Sequence, residues 1–228
     1  MDISSIIQDA FFPDPVEQRP RAEPLPLDQR PDLADIQERY QVKEDVMVTV
    51  TVDDREQQLP LSEAIDLAKQ KALGNEGRIR EIKALADEIG RGEGETDGHG
   101  DALRHTYLNA LLASELGQQT AYDMGTSHEQ KTDNEARAEA MDLYNNEVGR
   151  AIAAAHPNAS REELRGLVEQ AARNGELIVV GPDGNLAWSD QVAPGQTGST
   201  YDQPQDDPAG TNPGTVGEGR PGPNPYAL

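Results

Sequence analysis

The sequence predicts a mainly α protein: a single orthogonal or irregular helical domain of about five helices, with a minor β-strand and a C-terminal β-hairpin. Three observations carry that expectation. Apolar residues recur at three- and four-residue spacing through most of the stretch from 61 to 175. Strand-like runs are confined to 46–52 and to two short pieces near 177–188. Pro recurs through the first stretch and Pro with Gly through the last, which sets a helical domain at 44–190, with a core at 97–155, between a largely disordered leader (1–43) and a disordered tail (191–228).

In the leader, Pro13, Pro15, Pro20, Pro24, Pro26 and Pro31 recur too closely for a helix or a central strand. Ahead of them Ile3, Ile6, Ile7, Phe11 and Phe12 have helical spacing and read as a docking peptide or a frayed terminus. VMVTVTV at 46–52 alternates β-branched residues and is the clearest strand. A helix follows from Leu61 to Leu73 with Ser62 as its N-cap, and another from Arg78 to Ile89, ended by Gly90 and Gly92. The glycine-rich RGEGETDGHG is a loop. Beyond it comes a strong helix, Asp101 to Leu116, with Gly117 as C-cap. Ala121 to Glu129 reads as a shorter helix. Glu135 to Ala155 reads as a long one, stopped by His156-Pro157. Ser160 and Glu163 form a capping box for the next, which Gly175 closes. Leu177–Val180 and Leu186–Trp188 flank the turn Pro182-Asp183-Gly184-Asn185 as a hairpin.

Composition narrows the partners. Forty-two Asp and Glu against 20 Lys and Arg give a formal charge of −22, which repels nucleic acid and anionic membranes at long range. No basic stripe offsets this, so nucleic acid is not expected as a partner; a bound metal ion is the one thing that would reverse the sign locally. The absence of cysteine excludes disulfides, thiolate metal sites and a Cys nucleophile. Apolar runs are only a few residues long, so no membrane insertion is expected. The opening MDISSIIQDAFFPDP lacks the basic and apolar regions of a secretory signal, which leaves the cytoplasm or a signal-peptide-independent export route. The termini are the expected contact points for a protein partner.

Chemistry-bearing residues concentrate between Asp97 and Arg150. Asp101, His105 and Asn109 stand at i, i+4, i+8 on one helical stripe, with Arg104 one step around. Asp142, Asn146 and Arg150 repeat that spacing, with Asn145 beside them, while Met141, Tyr144, Val148 and Ile152 form the opposite, apolar side. Asn and Asp are poor residues for a helix interior, so a helix that uses Asp142, Asn145 and Asn146 is using their side chains. If the two stripes face one another, imidazole, carboxylate and amide groups converge. That suits a divalent metal with open positions, or a His–Asp acid/base pair with Arg for an anionic group. The bland alternatives stay open. His105 reads equally as a buried histidine bonded along its own helix, Asp142 with Arg104 or Arg150 as a structural ion pair, and the Asn pair as a support for loop backbone. His99 is expected to be solvated, and His156 to be a helix-end residue. No HExxH, GxSxG or phosphate-binding glycine loop occurs.

Taken together, DALRHTYLNALL at 101–112, His128-Glu129, and AMDLYNNEVGR at 140–150 resemble a bacterial helical domain found at the ends of large secreted, toxin-like or cell-surface proteins, and also as a stand-alone unit. The resemblance covers roughly 97–155. It carries over to Asp101, Arg104, His105, Asn109, His128, Glu129, Asp142, Asn145, Asn146, Gly149 and Arg150, and implies no particular reaction.

The functional expectation is a toxin- or effector-like hydrolase, with His105, Asp142, His128 and Glu129 as catalytic residues. Metal ligands would be drawn from His105, His128 and Asp142. Asp101 would orient His105, Asn109, Asn145 and Asn146 would hold ligands in place, and Arg104 or Arg150 would bind an anionic substrate group. The alternative is a non-catalytic binding or accessory module of a secretion, surface or phage assembly, in which the polar stripe locks the helices together.

Overall fold

The structure, a computed structural model, describes residues 25–52, 55–92, 94–132, 134–198 and 200. The apolar N-terminal piece, the prolines from Pro13 to Pro24 and the tail beyond Thr200 lie outside the described residues. In chain order come α1 (Leu33–Arg39), β1 (Met47–Val52), β2 (Arg55–Pro60), α2 (Leu61–Ala72), α3 (Glu76–Ile89), α4 (His99–Leu116), α5 (Gln118–Glu129), α6 (Ala136–Ala155), α7 (Arg161–Arg173), β3 (Ile178–Val180) and β4 (Leu186–Trp188). The protein is mainly α with two small antiparallel hairpins, β1–β2 and β3–β4. Among the described residues the α-helices number seven, where about five were expected.

The centre of the fold is the pair α4 and α6. From Ala138 to Arg150 every side chain of α6 is buried except Asp142, which is half-buried. A helix enclosed on all sides belongs in the middle of a core, with neighbours covering each face. Gly149 explains how closely its partner approaches: a Cβ there would run into the carbonyl of Thr106 on α4. The α3, α5 and α7 helices pack around this pair, and β3 packs against the middle of α6, where Asn145 bonds Ile178. Ile82, Ala110, Leu111, Met141, Val148, Ile152, Leu164 and Val168 fill the space between them. The strand Ile178–Val180 is buried along its whole length, as its unbroken apolar run requires.

Two elements extend beyond the expected domain. The segment read as extended leader contains α1, which Asp32 caps by accepting a hydrogen bond from the Ala34 N–H at 2.8 Å. From it Ile36, Tyr40 and Val42 enter the core. Tyr40 packs edge-on to Tyr144, and Tyr144 edge-on to Trp188, at centroid distances of 5.5 and 5.8 Å. Arg30 closes the row over the Trp188 ring and pairs with Asp190 at 2.6 Å. At the other end, the tail expected from Gln191 continues against the domain: Gly198 donates to the Val180 carbonyl, and Thr200 is buried.

Local signals explain most boundaries. The Ser160–Glu163 capping box forms as read, and Gly117 and Gly175 take positive φ where their helices end. Ser62 is not a cap. Helix α2 begins at Leu61, and Asp45 accepts the Ser62 N–H at 2.6 Å from outside the helix. β2 was not expected: REQQLP has no apolar alternation, and it pairs along β1 from Met47↔Pro60 to Val52↔Arg55.

Candidate functional site

The two polar stripes do face one another. Helix α4 contributes Asp101, Arg104, His105 and Asn109, helix α6 contributes Asp142, Asn146 and Arg150, and the end of α5 contributes Glu129. Gly125 on α5 makes room for the amides, since a Cβ at that position would lie 2.7 Å from Asn109 Oδ1.

A buried relay of hydrogen bonds fixes the protonation of His105. The Arg150 guanidinium, which can only donate, gives a hydrogen bond to Asn109 Oδ1 at 3.1 Å. Asn109 Nδ2 then donates to Asn146 Oδ1 at 2.6 Å, and Asn146 Nδ2 donates to the Gly125 carbonyl at 3.3 Å. With a pure donor at one end and a pure acceptor at the other, neither amide can be flipped without losing its bonds along the relay. Asn146 Oδ1 therefore presents an acceptor to His105 Nδ1 at 3.2 Å. The ring proton sits on Nδ1, and the Nε2 lone pair points the other way.

What Nε2 meets is a pair of carboxyl groups. Asp101 Oδ1 lies 3.4 Å away and Asp142 Oδ1 3.5 Å away. Burial holds the imidazole neutral, lowering its pKa to about 3 against the pull of Glu129, whose Oε1 is 3.9 Å from Nδ1; the Arg104 charge adds to the lowering. Burial also drives the Asp142 carboxyl well above its ordinary range, helped by the charges of Glu129 and Asp101 and opposed by Arg104. Arg104 donates to Asp101 Oδ1 and stands 3.3 Å from His105 Nε2. Asp142 Oδ1 and Glu129 Oε1 are enclosed with no hydrogen-bond partner among the described residues.

Three ligand atoms, one each from Asp101, His105 and Asp142, lie within 4.8 Å of one another. An ion held ~2.1 Å from each of two donors at a tetrahedral angle would separate them by ~3.4 Å. The separations of 3.4 and 3.5 Å on Nε2 match that span. The donor set is two carboxylates and a neutral imidazole, a combination suited to zinc, manganese or a similar divalent ion. Asn146 on Nδ1 is then the outer partner that orients a ligating histidine. The cluster reaches solvent through Arg104 and Asp142, whose side chains are 36% and 14% exposed.

Not every expected residue is here. His128 lies apart, with Nδ1 3.0 Å from Glu63 and Nε2 accepting from Lys131 at 2.9 Å. Asn145 clamps β3 instead, donating to the Ile178 carbonyl and accepting its N–H at 2.8 and 3.0 Å. Asp101 faces Nε2, so the orienting task expected of it falls to Asn146. Arg150 is an interior anchor under the Tyr122 ring rather than a surface anion binder. His99 is not simply solvated; its Nε2 meets the Ser189 carbonyl at 2.8 Å. Two carboxyls were missed. Asp97 accepts from Thr200 and donates its N–H to Asp101, and Glu139, pushed up to about 8 chiefly by burial, accepts the Val42 N–H. The first follows from a loop the sequence leaves shapeless. The second was legible only as a Glu among alanines on a helix otherwise bound for the core.

Fold and cluster together define a mainly α domain built around an enclosed carboxylate–imidazole centre. Residues 79–176, spanning nearly all of α3 through α7 and the whole His105 cluster, are similar to a family described as a domain of unknown function (DUF6973). No curated protein and no solved structure matches the chain. No helix among the described residues is long and apolar enough to cross a membrane.

Proposed function

We propose that the chain is a hydrolase of effector or toxin type, with a divalent cation held by Asp101, His105 and Asp142. The observation that supports this most is the convergence of ligand atoms: the relay from Arg150 turns the His105 Nε2 lone pair toward one oxygen each of Asp101 and Asp142, with Arg104 the one cationic group beside them. Arg104 already pairs with Asp101, whereas Asp142 Oδ1 is enclosed without a hydrogen-bond partner among the described residues, and a cation would bind that carboxyl in its ionised form. Such an ion would polarise water for attack on a phosphodiester, a lipid head group or a cell-wall fragment. Arg104, the most exposed member, would meet the anionic group of that substrate. The resemblance to domains of secreted bacterial proteins supports the effector reading.

The test is hydrolysis of those three substrate classes by the wild-type chain with and without manganese or zinc. Cation-dependent turnover should fall by at least ~100-fold in Asp142→Asn, while the helical spectrum is kept. Turnover indifferent to chelator, or unchanged in Asp142→Asn, would remove the proposal.

The enclosure of the cluster favours a second reading, a non-catalytic binding or accessory module locked by the relay. In that case His105→Ala melts far earlier than wild type and neither protein takes up a cation.

A further inference from the structure

Asp97 is the one non-glycine residue among those described with a positive φ, at 56°. Its neighbours account for that conformation. The backbone N–H donates to Asp101 Oδ2 at 2.8 Å, and the carbonyl accepts from the Val180 N–H at 2.8 Å. The carboxylate accepts twice from Thr200, through the N–H and the hydroxyl, each at 2.8 Å. Both residues are 4% exposed. The chain leading to Thr200 lies directly on the loop before α4: a Cβ on Gly98 would meet Thr197 Oγ1 at 2.5 Å, and Gly198 donates to the Val180 carbonyl at 3.0 Å.

The consequence falls on Asp101. Its two oxygens are divided: Oδ2 is held by the Asp97 N–H, and Oδ1 is turned to Arg104 and His105 Nε2. A left-handed backbone at a residue with a Cβ persists only when its surroundings over-determine it. Here the surroundings are Val180 and Thr200. Removing the Thr200 hydroxyl leaves a buried carboxylate short of a donor, and relaxation of Asp97 would take its N–H away from Asp101.

We infer that Asp97 and Thr200 are a positioning pair for the cluster, so that the segment ending at Thr200 sets the geometry of Asp101 and with it the affinity of the site for a divalent cation. The affinity half of this inference rests on the cation centre proposed above. The positioning half does not.

The experiment compares the full-length wild type with Thr200→Val, which keeps the shape of the side chain and deletes the hydroxyl, and with Thr200→Ser, which restores it. Amide hydrogen exchange of residues 97–101 is followed in the metal-free proteins, and manganese affinity is measured by titration calorimetry. The expected result is faster exchange in Thr200→Val and a manganese affinity lowered ~10-fold, the size of effect that outer partners of metal ligands exert. Both should return in Thr200→Ser. Unchanged exchange in Thr200→Val overturns the pair, whatever manganese does. Accelerated exchange with undiminished manganese affinity overturns the control of the site. Accelerated exchange in a chain whose wild type takes no manganese upholds the pair and removes the cation centre instead.

Discussion

The position of one proton in this protein is decided several residues from the ring that carries it. Arg150 can only donate and the Gly125 carbonyl can only accept, so Asn109 and Asn146 are aligned between them and His105 is protonated on Nδ1. Sequence spacing placed all four side chains on facing stripes but could not say which way each amide points. It therefore misassigned the orienting partner to Asp101, the nearest carboxylate along the helix. Glu139 offers a prediction at the same scale. Burial, with the charges of Glu129 and Glu44, pushes its carboxyl from the ordinary 4.5 up to about 8, against the Val42 N–H, which lowers it. The folded state thus holds a proton that the unfolded chain gives up. The stability that this carboxyl contributes is fully present below pH 4.5 and is lost as pH rises through 8. Glu139→Gln cannot ionise and should flatten the decline in stability between pH 5 and 8, read by denaturant titration at several pH values. A decline as steep as in wild type would show that another group sets it.

Elements were legible where one physical signal dominated. Apolar periodicity revealed the helices from α2 to α7, and the Ser160 capping box marked the start of α7 to the residue. Where signals competed, the louder one misled. Pro26 and Pro31 suggested an extended chain, although Asp32 directly after Pro31 is an ordinary helix cap and Ile36 and Tyr40 lie at helical spacing. β2 had no signal of its own; its polar residues become a strand because β1 offers a hydrogen-bonding edge. At this scale the contact of α4 with α6 is the part most sensitive to mutation. Gly149→Ala would place a methyl group against the Thr106 carbonyl, forcing the central helices apart at a cost of about 1–3 kcal/mol. Urea denaturation measures it directly. A variant as stable as wild type would mean that the two helices can separate freely, and the facing stripes would then owe nothing to this contact.

Across the whole molecule, the net charge of −22 attracts cations without any site being needed. A specific centre has to be distinguished from that general screening, which grows gradually with sodium and treats all variants alike. The charge also explains why composition could exclude partners but not identify a ligand: most of the 42 acidic residues lie outside the cluster, and only folding brings Asp101, Asp142 and Glu129 inside with His105. The measurement that bears most directly on the proposed centre is calorimetric titration of manganese into wild type, Asp142→Asn and His105→Ala at fixed ionic strength. The expected result is one saturable site per wild-type chain and none in either variant, with a stabilisation of ~2.7 kcal/mol when the ion is present at one hundred times its dissociation constant. Heats that never saturate, or that are the same in all three proteins, would contradict the cation centre and leave the cluster as the lock between α4, α5 and α6.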